Sequence, residues 1–243
     1  MSKIYEALQQ AHQQKKTSGK SVEVIIPQNL VLNEKVDIGE EMFSLYKVID
    51  TMLPDISNRV VQFIGSRAGE GTSTIVREFA RIAAERIGRS VLLMDADRYQ
   101  GTQSRFFSAP SQYSWINVFQ ESGELGRAIH RVGESGLFFS PACNSSVPTP
   151  ELFNSLRFEG FLANLKLEFD LVLIDSPPLT VSPDALALVS KVDGVILVVE
   201  AEKTKWRTAG YAKEQIQRVG GNILGIVLNK RRYYIPQSFY KYL

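Results

Sequence analysis

One stretch, residues 60–76 (VVQFIGSRAGEGTSTIV), restricts what this chain can become more than any other. Its apolar run, residues 60–64, closes on glycine and serine and reads as a buried strand. Residues 66–71 (SRAGEG) hold too much glycine for helix or strand. From Thr72 onward, Ile75, Val76, Phe79, Ile82 and Ala83 recur at helical spacing, so an amphipathic helix follows. Strand, glycine loop and helix in that order wrap backbone around a phosphate chain. The glycines let N–H groups turn inward, and the helix N-terminus adds its partial positive charge. Laid on the pattern G-x-x-x-x-G-K-S/T, Ser66 takes the first glycine and Gly71 the second, while Ser73 supplies the hydroxyl for Mg²⁺. Thr72 stands at the lysine position, so the cradle is expected without its cationic side chain.

The rest of the chain repeats the alternation. Apolar strands are expected at residues 90–94, 136–139, 170–174, 194–199 and 223–228, and helices at 40–53, 114–119, 123–130, 149–165, 183–189 and 204–219. Residues 99–114 read as a long loop. Buried strands alternating with helices give an α/β fold, a mostly parallel sheet with helices on both faces. Residues 1–39 stand apart as a short helix, with Ile4, Leu8 and Ala11 on one side, followed by a polar linker. Residues 40–243 then form the phosphate-loop domain and its tail.

Composition excludes several classes. A net charge of +2 is too small to argue for nucleic acid. The lone cysteine, Cys143, rules out an internal disulfide and any C-x-x-C site, and fits a reducing compartment. His12 and His130 have no metal-ligand spacing. No apolar run approaches the roughly 20 residues of a membrane span, and the first residues lack the pattern of a signal peptide. The expectation is a cytoplasmic protein, free to dock at the inner face of the membrane through a partner.

In a sheet of this kind, ligands bind at the carboxyl ends of the strands. The loop, Asp95, Asp97, Asp175 and Asn229 all fall there. Asp175, after a hydrophobic strand, is placed as the acid that holds the water shell of Mg²⁺, with Ser73 and Asp95 as its companions at the metal. Asp95 and Asp97 are placed to orient a water or to accept the proton of an attacking hydroxyl, and all three aspartates are the catalytic candidates. Ser66, Arg67, Gly69, Gly71, Thr72, Ser73 and Thr74 would surround the nucleotide phosphates, and the Asn229 amide could read an adenine edge.

In this order and spacing, FIGSRAGEGTST, VLLMDADR, FDLVLIDSPP, VDGVILVVEAEKT and NILGIVLNK resemble the cytoplasmic domain of bacterial tyrosine kinases. These belong to the capsular and exopolysaccharide biosynthesis family and share the MinD/ParA-type P-loop fold. The resemblance covers residues 40–243, and the opening MSKIYEALQQA is similar to members of the group as well. It implies an ATP·Mg²⁺ site, with ADP as product, in which Ser73, Asp95, Asp97 and Asp175 are the counterparts of the family's site residues. It further implies a homo-oligomeric ring whose tails are phosphorylated between neighbours, here at Tyr233, Tyr234, Tyr240 and Tyr242, and a membrane chain-length regulator (co-polymerase) whose cytoplasmic segment is the partner.

Three departures bear on activity. Thr72 replaces the lysine that balances the β- and γ-phosphates, and losing one such preorganised charge reduces rate by roughly a hundredfold or more. Arg98 follows Asp97 directly and Tyr99 comes next, where the family's D-x-D-x-R expects arginine. The ring pattern E-x-x-R-x-x-R is met only by Glu41, Ser44 and Lys47. Arg67 keeps a positive charge in the loop, at the position where MinD-type relatives place a signature lysine. The expected function is regulation of exopolysaccharide or capsule synthesis or export, with nucleotide binding and weak or lost kinase activity, tail phosphate then coming from another tyrosine kinase. An active autokinase, a MinD/ParA-type positioning ATPase and a non-binding scaffold are the alternatives.

Overall fold

The computed structural model describes residues 38–54, 58–109, 113–121, 125–142 and 152–231. The expectations for the N-terminal helix and linker, His12, Cys143 and the four tail tyrosines fall outside them. Seven strands, β1 (Arg59–Gly65), β2 (Val91–Asp95), β3 (His130–Val132), β4 (Leu137–Ser140), β5 (Leu171–Asp175), β6 (Gly194–Glu200) and β7 (Ile223–Asn229), form one sheet in the order β3-β4-β2-β5-β1-β6-β7. All neighbours are parallel except β3 and β4. The mostly parallel α/β fold expected from the alternation is therefore present.

Seven α-helices are described: α1 (Gly39–Met52), α2 (Thr72–Glu85), α3 (Thr102–Phe106), α4 (Trp115–Glu121), α5 (Leu156–Glu168), α6 (Asp184–Val189) and α7 (Trp206–Arg218). Successive strand residues point to opposite faces, and the core divides accordingly. Val61, Phe63, Leu93, Leu173, Ile196 and Val198 pack on one face against Met42, Tyr46 and Ile49 of α1 and Ile75, Val76 and Phe79 of α2. On the other face, Leu92, Met94, Val172 and Ile174 meet Trp115 and Ile116 of α4 and Phe158, Leu162 and Leu165 of α5. Ile64, Val195, Leu197 and Val199 meet α6 and α7 through Ala185, Val189, Ala212 and Ile216. Gln62 breaks the apolar run of β1. It is fully buried, and its Nε2 donates to Ser176 Oγ and to the Ala185 carbonyl, both at 2.8 Å.

Three local expectations are corrected. Within the stretch 123–130 expected as helix, the described residues 125–130 are not an α-helix: a 3₁₀ turn at Leu125–Arg127 leads into β3, which pairs antiparallel with β4 at the sheet edge. Three residues of pairing leave too short a pattern for periodicity to register. The loop expected over residues 99–114 contains α3, entered through Gly101 at a positive φ of 55°. Of the helix expected over residues 149–165, residues 152 and 153 are helical and a break follows at 154–155. A separate helix starts at Leu156, where the Ser155 hydroxyl accepts from the Phe158 N–H at 3.2 Å, and runs on to Glu168.

The fold fixes where the site lies. β1 and β5 are neighbours, yet the helices that follow them lie on opposite faces, α2 on one and α6 on the other. That divergence opens the crevice at the carboxyl ends of β1 and β5. No described helix is long and apolar enough to cross a membrane.

Candidate nucleotide site

The loop between β1 and α2 is held by its own glycines and by two other strand ends. Gly69 and Gly71 take φ of 86° and 87°, a left-handed conformation that strains any residue with a Cβ. Gly71 is also the N-cap of α2 and offers no side chain to the helix start. Among the described residues, the backbone N–H groups of Gly69, Gly71, Thr72 and Ser73 find no acceptor, and that of Glu70 has only a weak turn contact with the Arg67 carbonyl. Uncapped donors at the start of a helix form an anion site.

Glu70 lies under this loop and is 2% exposed. Its carboxylate accepts from Ser66 Oγ at 2.7 Å, the Arg67 N–H at 2.8 Å and Thr204 Oγ1 at 2.5 Å. Ser66 is thus buried and committed to Glu70, whereas the Arg67 side chain is exposed at the loop tip. Thr72 is buried, and its hydroxyl lies 2.8 Å from where a Cβ on Gly65 would stand. Its side chain folds back on the end of β1. The Thr74 N–H donates to the Gly71 carbonyl at 3.1 Å and closes the first turn.

Beside the loop, Asp95 and Asp175 are register partners on adjacent strands β2 and β5, both with side chains almost wholly buried. Asp95 Oδ1 accepts from the Asp97 N–H at 2.9 Å, and Asp175 Oδ2 accepts from Gln103 Nε2 at 2.9 Å. The other oxygen of each, Asp95 Oδ2 and Asp175 Oδ1, is buried without a hydrogen-bond partner among the described residues. Desolvation, then the Asp175 charge, push Asp95 well above the ordinary carboxylate range. Desolvation lifts Asp175 to about 6, with the neighbouring Ser73 hydroxyl and Gln103 pulling it back. Asp97 is raised by burial, but its Oδ1 accepts from the Tyr99 and Gln100 N–H groups at 3.0 and 3.2 Å and so shapes the turn after β2.

Two orphaned carboxylate oxygens next to a hydroxyl are hard donors of the kind Mg²⁺ takes. No three His, Cys, Asp or Glu side chains among the described residues gather into a cage for a metal. A Mg²⁺ here would rest on Ser73, Asp175 and Asp95 with waters and nucleotide phosphate completing its shell, the usual situation for this ion. The residues fit the group.

The sequence reading missed four contributors. Glu70 looked like one more polar loop residue. Gln103 sits on α3, where only a loop was expected. It is fully buried and donates to the Ser73 carbonyl at 2.7 Å as well as to Asp175. Its Oε1 accepts at 3.2 Å from Arg77, whose guanidinium stacks 3.6 Å above the Phe106 ring centroid. Arg77, one turn along α2 from Ser73, places a cation behind the paired aspartates. Burial lowers its pKa, while Glu78 and Asp175 oppose that shift. Its spacing from Ser73 was the available signal. Lys230 follows Asn229 at the end of β7, and its Nζ reaches the Gly69 carbonyl at 2.6 Å. Asn229 is engaged at both ends of its amide: Nδ2 donates to the Glu70 carbonyl and Oδ1 accepts from the Lys230 N–H, each at 2.8 Å.

Arg98 forms an ion pair at 3.3 Å with the buried Asp184 of α6. Tyr99, in the place of the expected arginine, is half exposed and shares a hydrogen bond of 3.2 Å with Ser182. Glu41, Ser44 and Lys47 lie together on the exposed side of α1.

No family model matches the chain. The tyrosine-protein kinase CpsD of Streptococcus agalactiae is 30% identical over 174 residues, which are 71% of this chain and 76% of that protein. Among solved structures, the kinase domain of the Escherichia coli tyrosine kinase ETK superposes with a TM-score of 0.71 at 21% identity, covering 81% of this chain and 78% of that one. The septum site-determining protein MinD of Pyrococcus horikoshii, complexed with Mg-ADP, gives 0.61 at 20% identity over 75% of both chains. These two structural likenesses establish a shared P-loop NTPase fold.

Proposed function

Because the chain belongs to the bacterial tyrosine-protein kinase family, we propose that it is a kinase-like regulator of exopolysaccharide or capsule synthesis or export, which binds Mg·ATP and Mg·ADP but has weak or no kinase activity. One observation carries this reading: Thr72, folded back on β1, stands where the family's lysine would meet the phosphates, in a loop otherwise equipped to receive them.

The chain's own groups divide the work. Backbone N–H groups from Gly69 to Ser73, with the dipole of α2, hold the phosphate chain. Ser73, Asp175 and Asp95 would hold Mg²⁺, which when bound would neutralise negative charge on the phosphates. Asp97 keeps the turn after β2 close to the phosphates, from which a water or hydroxyl could be oriented. Backbone donors and metal sustain binding of the ground state. The absent ammonium would both strengthen that binding and meet the charge developing during transfer, so its loss weakens affinity and reduces rate by roughly a hundredfold or more. Arg77 faces the carboxylates through Gln103 and leaves the phosphate side without a replacement.

The partner we propose is the cytoplasmic segment of a membrane chain-length regulator, with association of copies through α1. Tyr233, Tyr234, Tyr240 and Tyr242 would accept phosphate from a separate tyrosine kinase, each phosphate adding close to two negative charges to a tail rich in Lys and Arg. The test is calorimetric titration of the full chain with ADP and ATP, with and without Mg²⁺, alongside incubation with γ-labelled ATP. Mg²⁺-dependent binding without tyrosine labelling is the expected result. Absence of binding would leave a scaffold, and rapid labelling of the tail would make the protein an autokinase.

A further inference from the structure

The end of β7 grips the outside of the phosphate loop. Lys230 Nζ donates to the Gly69 carbonyl at 2.6 Å, and Asn229 Nδ2 donates to the Glu70 carbonyl at 2.8 Å. In a planar trans peptide the C=O and the following N–H point in opposite directions, and none of the described peptides is cis. Drawing the Gly69 carbonyl toward Lys230 therefore turns the Glu70 N–H to the other side of the loop. Drawing the Glu70 carbonyl toward Asn229 does the same for the Gly71 N–H. Among the described residues the Gly71 N–H finds no acceptor, and the Glu70 N–H has only a weak turn contact with the Arg67 carbonyl.

We propose that Asn229 and Lys230 form a latch that aims the Glu70 and Gly71 amides into the anion cradle, and that both are positioning residues for the phosphate held there. The latch rests on the nucleotide-site reading above and adds to it the group that orients the donors.

Three further features support it. Lys230 holds a φ of 57°, a conformation uncommon for a residue with a side chain, and strain of this kind persists where surrounding contacts impose it. The Lys230 N–H donates to Asn229 Oδ1, so the strained backbone also fixes the amide's orientation, and Nδ2 can face the loop only one way. A Cβ on Gly71 would stand 2.4 Å from Asn229 Nδ2, so the close approach requires glycine there. Glu200 anchors the lysine from behind, at 3.4 Å, and is itself paired with Lys203 at 2.7 Å. An ammonium on the loop's outer carbonyl thus acts through the peptide planes and makes no direct phosphate contact, a different device from the lysine missing at position 72.

The test compares the full chain with Lys230→Met, which keeps the aliphatic stem, and Lys230→Arg, which restores a donor. Two quantities are measured: affinity for Mg·ADP by calorimetry, and the NMR amide signals and hydrogen exchange of Glu70 and Gly71 in the ligand-free protein. Lys230→Met should weaken Mg·ADP binding about tenfold and shift the Glu70 and Gly71 amides before any ligand is added, with Lys230→Arg returning both to near the parent. If the parent binds Mg·ADP and Lys230→Met binds it equally well, the latch is wrong and the nucleotide site stands. If the parent does not bind Mg·ADP, the nucleotide reading fails and the amide signals alone decide. Unmoved signals in Lys230→Met overturn the latch; displaced ones, restored by arginine, support it.

Discussion

Asp95 and Asp175 face each other in register across β2 and β5, each with one buried oxygen that finds no hydrogen-bond partner among the described residues. Two carboxylates in a desolvated site destabilise the ligand-free fold when both are ionised. Asp175 titrates at about 6 in the native state against an ordinary value of 3.8. Between those limits the native protein holds more protons than the unfolded chain, so this site's contribution to stability falls as pH rises and is lost above the native pKa. Asp175→Asn removes the charge while keeping an oxygen for Gln103. Its ligand-free form should be about 1–3 kcal/mol more stable than the parent at pH 7.5, with the two converging near pH 4. Urea denaturation across that range provides the check, and an asparagine variant no more stable than the parent at pH 7.5 would refute the account.

Thr72→Lys is expected to act oppositely with and without nucleotide. The threonine hydroxyl fits against the end of β1, and a lysine cannot stay there. Its ammonium would join loop N–H groups that are themselves donors, so the melting temperature should fall in the absence of ligand. With Mg·ATP the ammonium meets phosphate, and affinity should rise about tenfold to a hundredfold. Unchanged affinity would mean that the loop does not receive phosphates in the family manner.

How much of this could be read from the chain follows from range. Strand, glycine loop and helix depend on neighbours a few residues apart, so β1, the loop and α2 were legible together with the parallel arrangement. Asp95 and Asp175 were placed at the same sheet end by counting strands, although their direct register was not deducible. The engagements of Glu70 with Thr204, Asn229 with the loop and Gln103 with Asp175 join residues 134, 159 and 72 positions apart. No local periodicity encodes such pairs. The strand β3 was missed for a related reason: its pairing with β4, three residues long, is what makes it a strand.

Trp115 gives a spectroscopic handle on the site. Its indole N–H donates to the Asp95 carbonyl at 2.8 Å, and its ring packs against Phe153 with centroids 6.1 Å apart. The other tryptophan, Trp206, is 79% exposed. Trp206→Phe should leave stability nearly unchanged and leave one blue-shifted emitter that reports on the end of β2. Mg·ADP should change its intensity over the same concentrations that give heat in calorimetry. A silent Trp115 alongside calorimetric binding would place the nucleotide away from Asp95.

Gln103 offers the sharpest separation of packing from charge. It is fully buried and joins Ser73, Asp175 and Arg77 through three hydrogen bonds. Gln103→Leu fills nearly the same volume but removes a donor from the Ser73 carbonyl and Asp175 and an acceptor from Arg77, so it should cost about 2–4 kcal/mol at any pH near neutrality. Gln103→Glu has nearly the same shape and keeps an acceptor for Arg77, but when ionised it sets a third negative charge beside Asp95 and Asp175. At pH 7.5 it should therefore be destabilised comparably. Measured against the parent at each pH, lowering the pH to 5 should restore more of its stability than of the leucine variant's, because a protonated glutamate can again donate to Asp175, whereas leucine leaves the Ser73 carbonyl and Arg77 without those partners at every pH. If both variants show the same dependence on pH, Gln103 serves only to fill space, and the connection between Arg77 and the aspartates has no energetic weight.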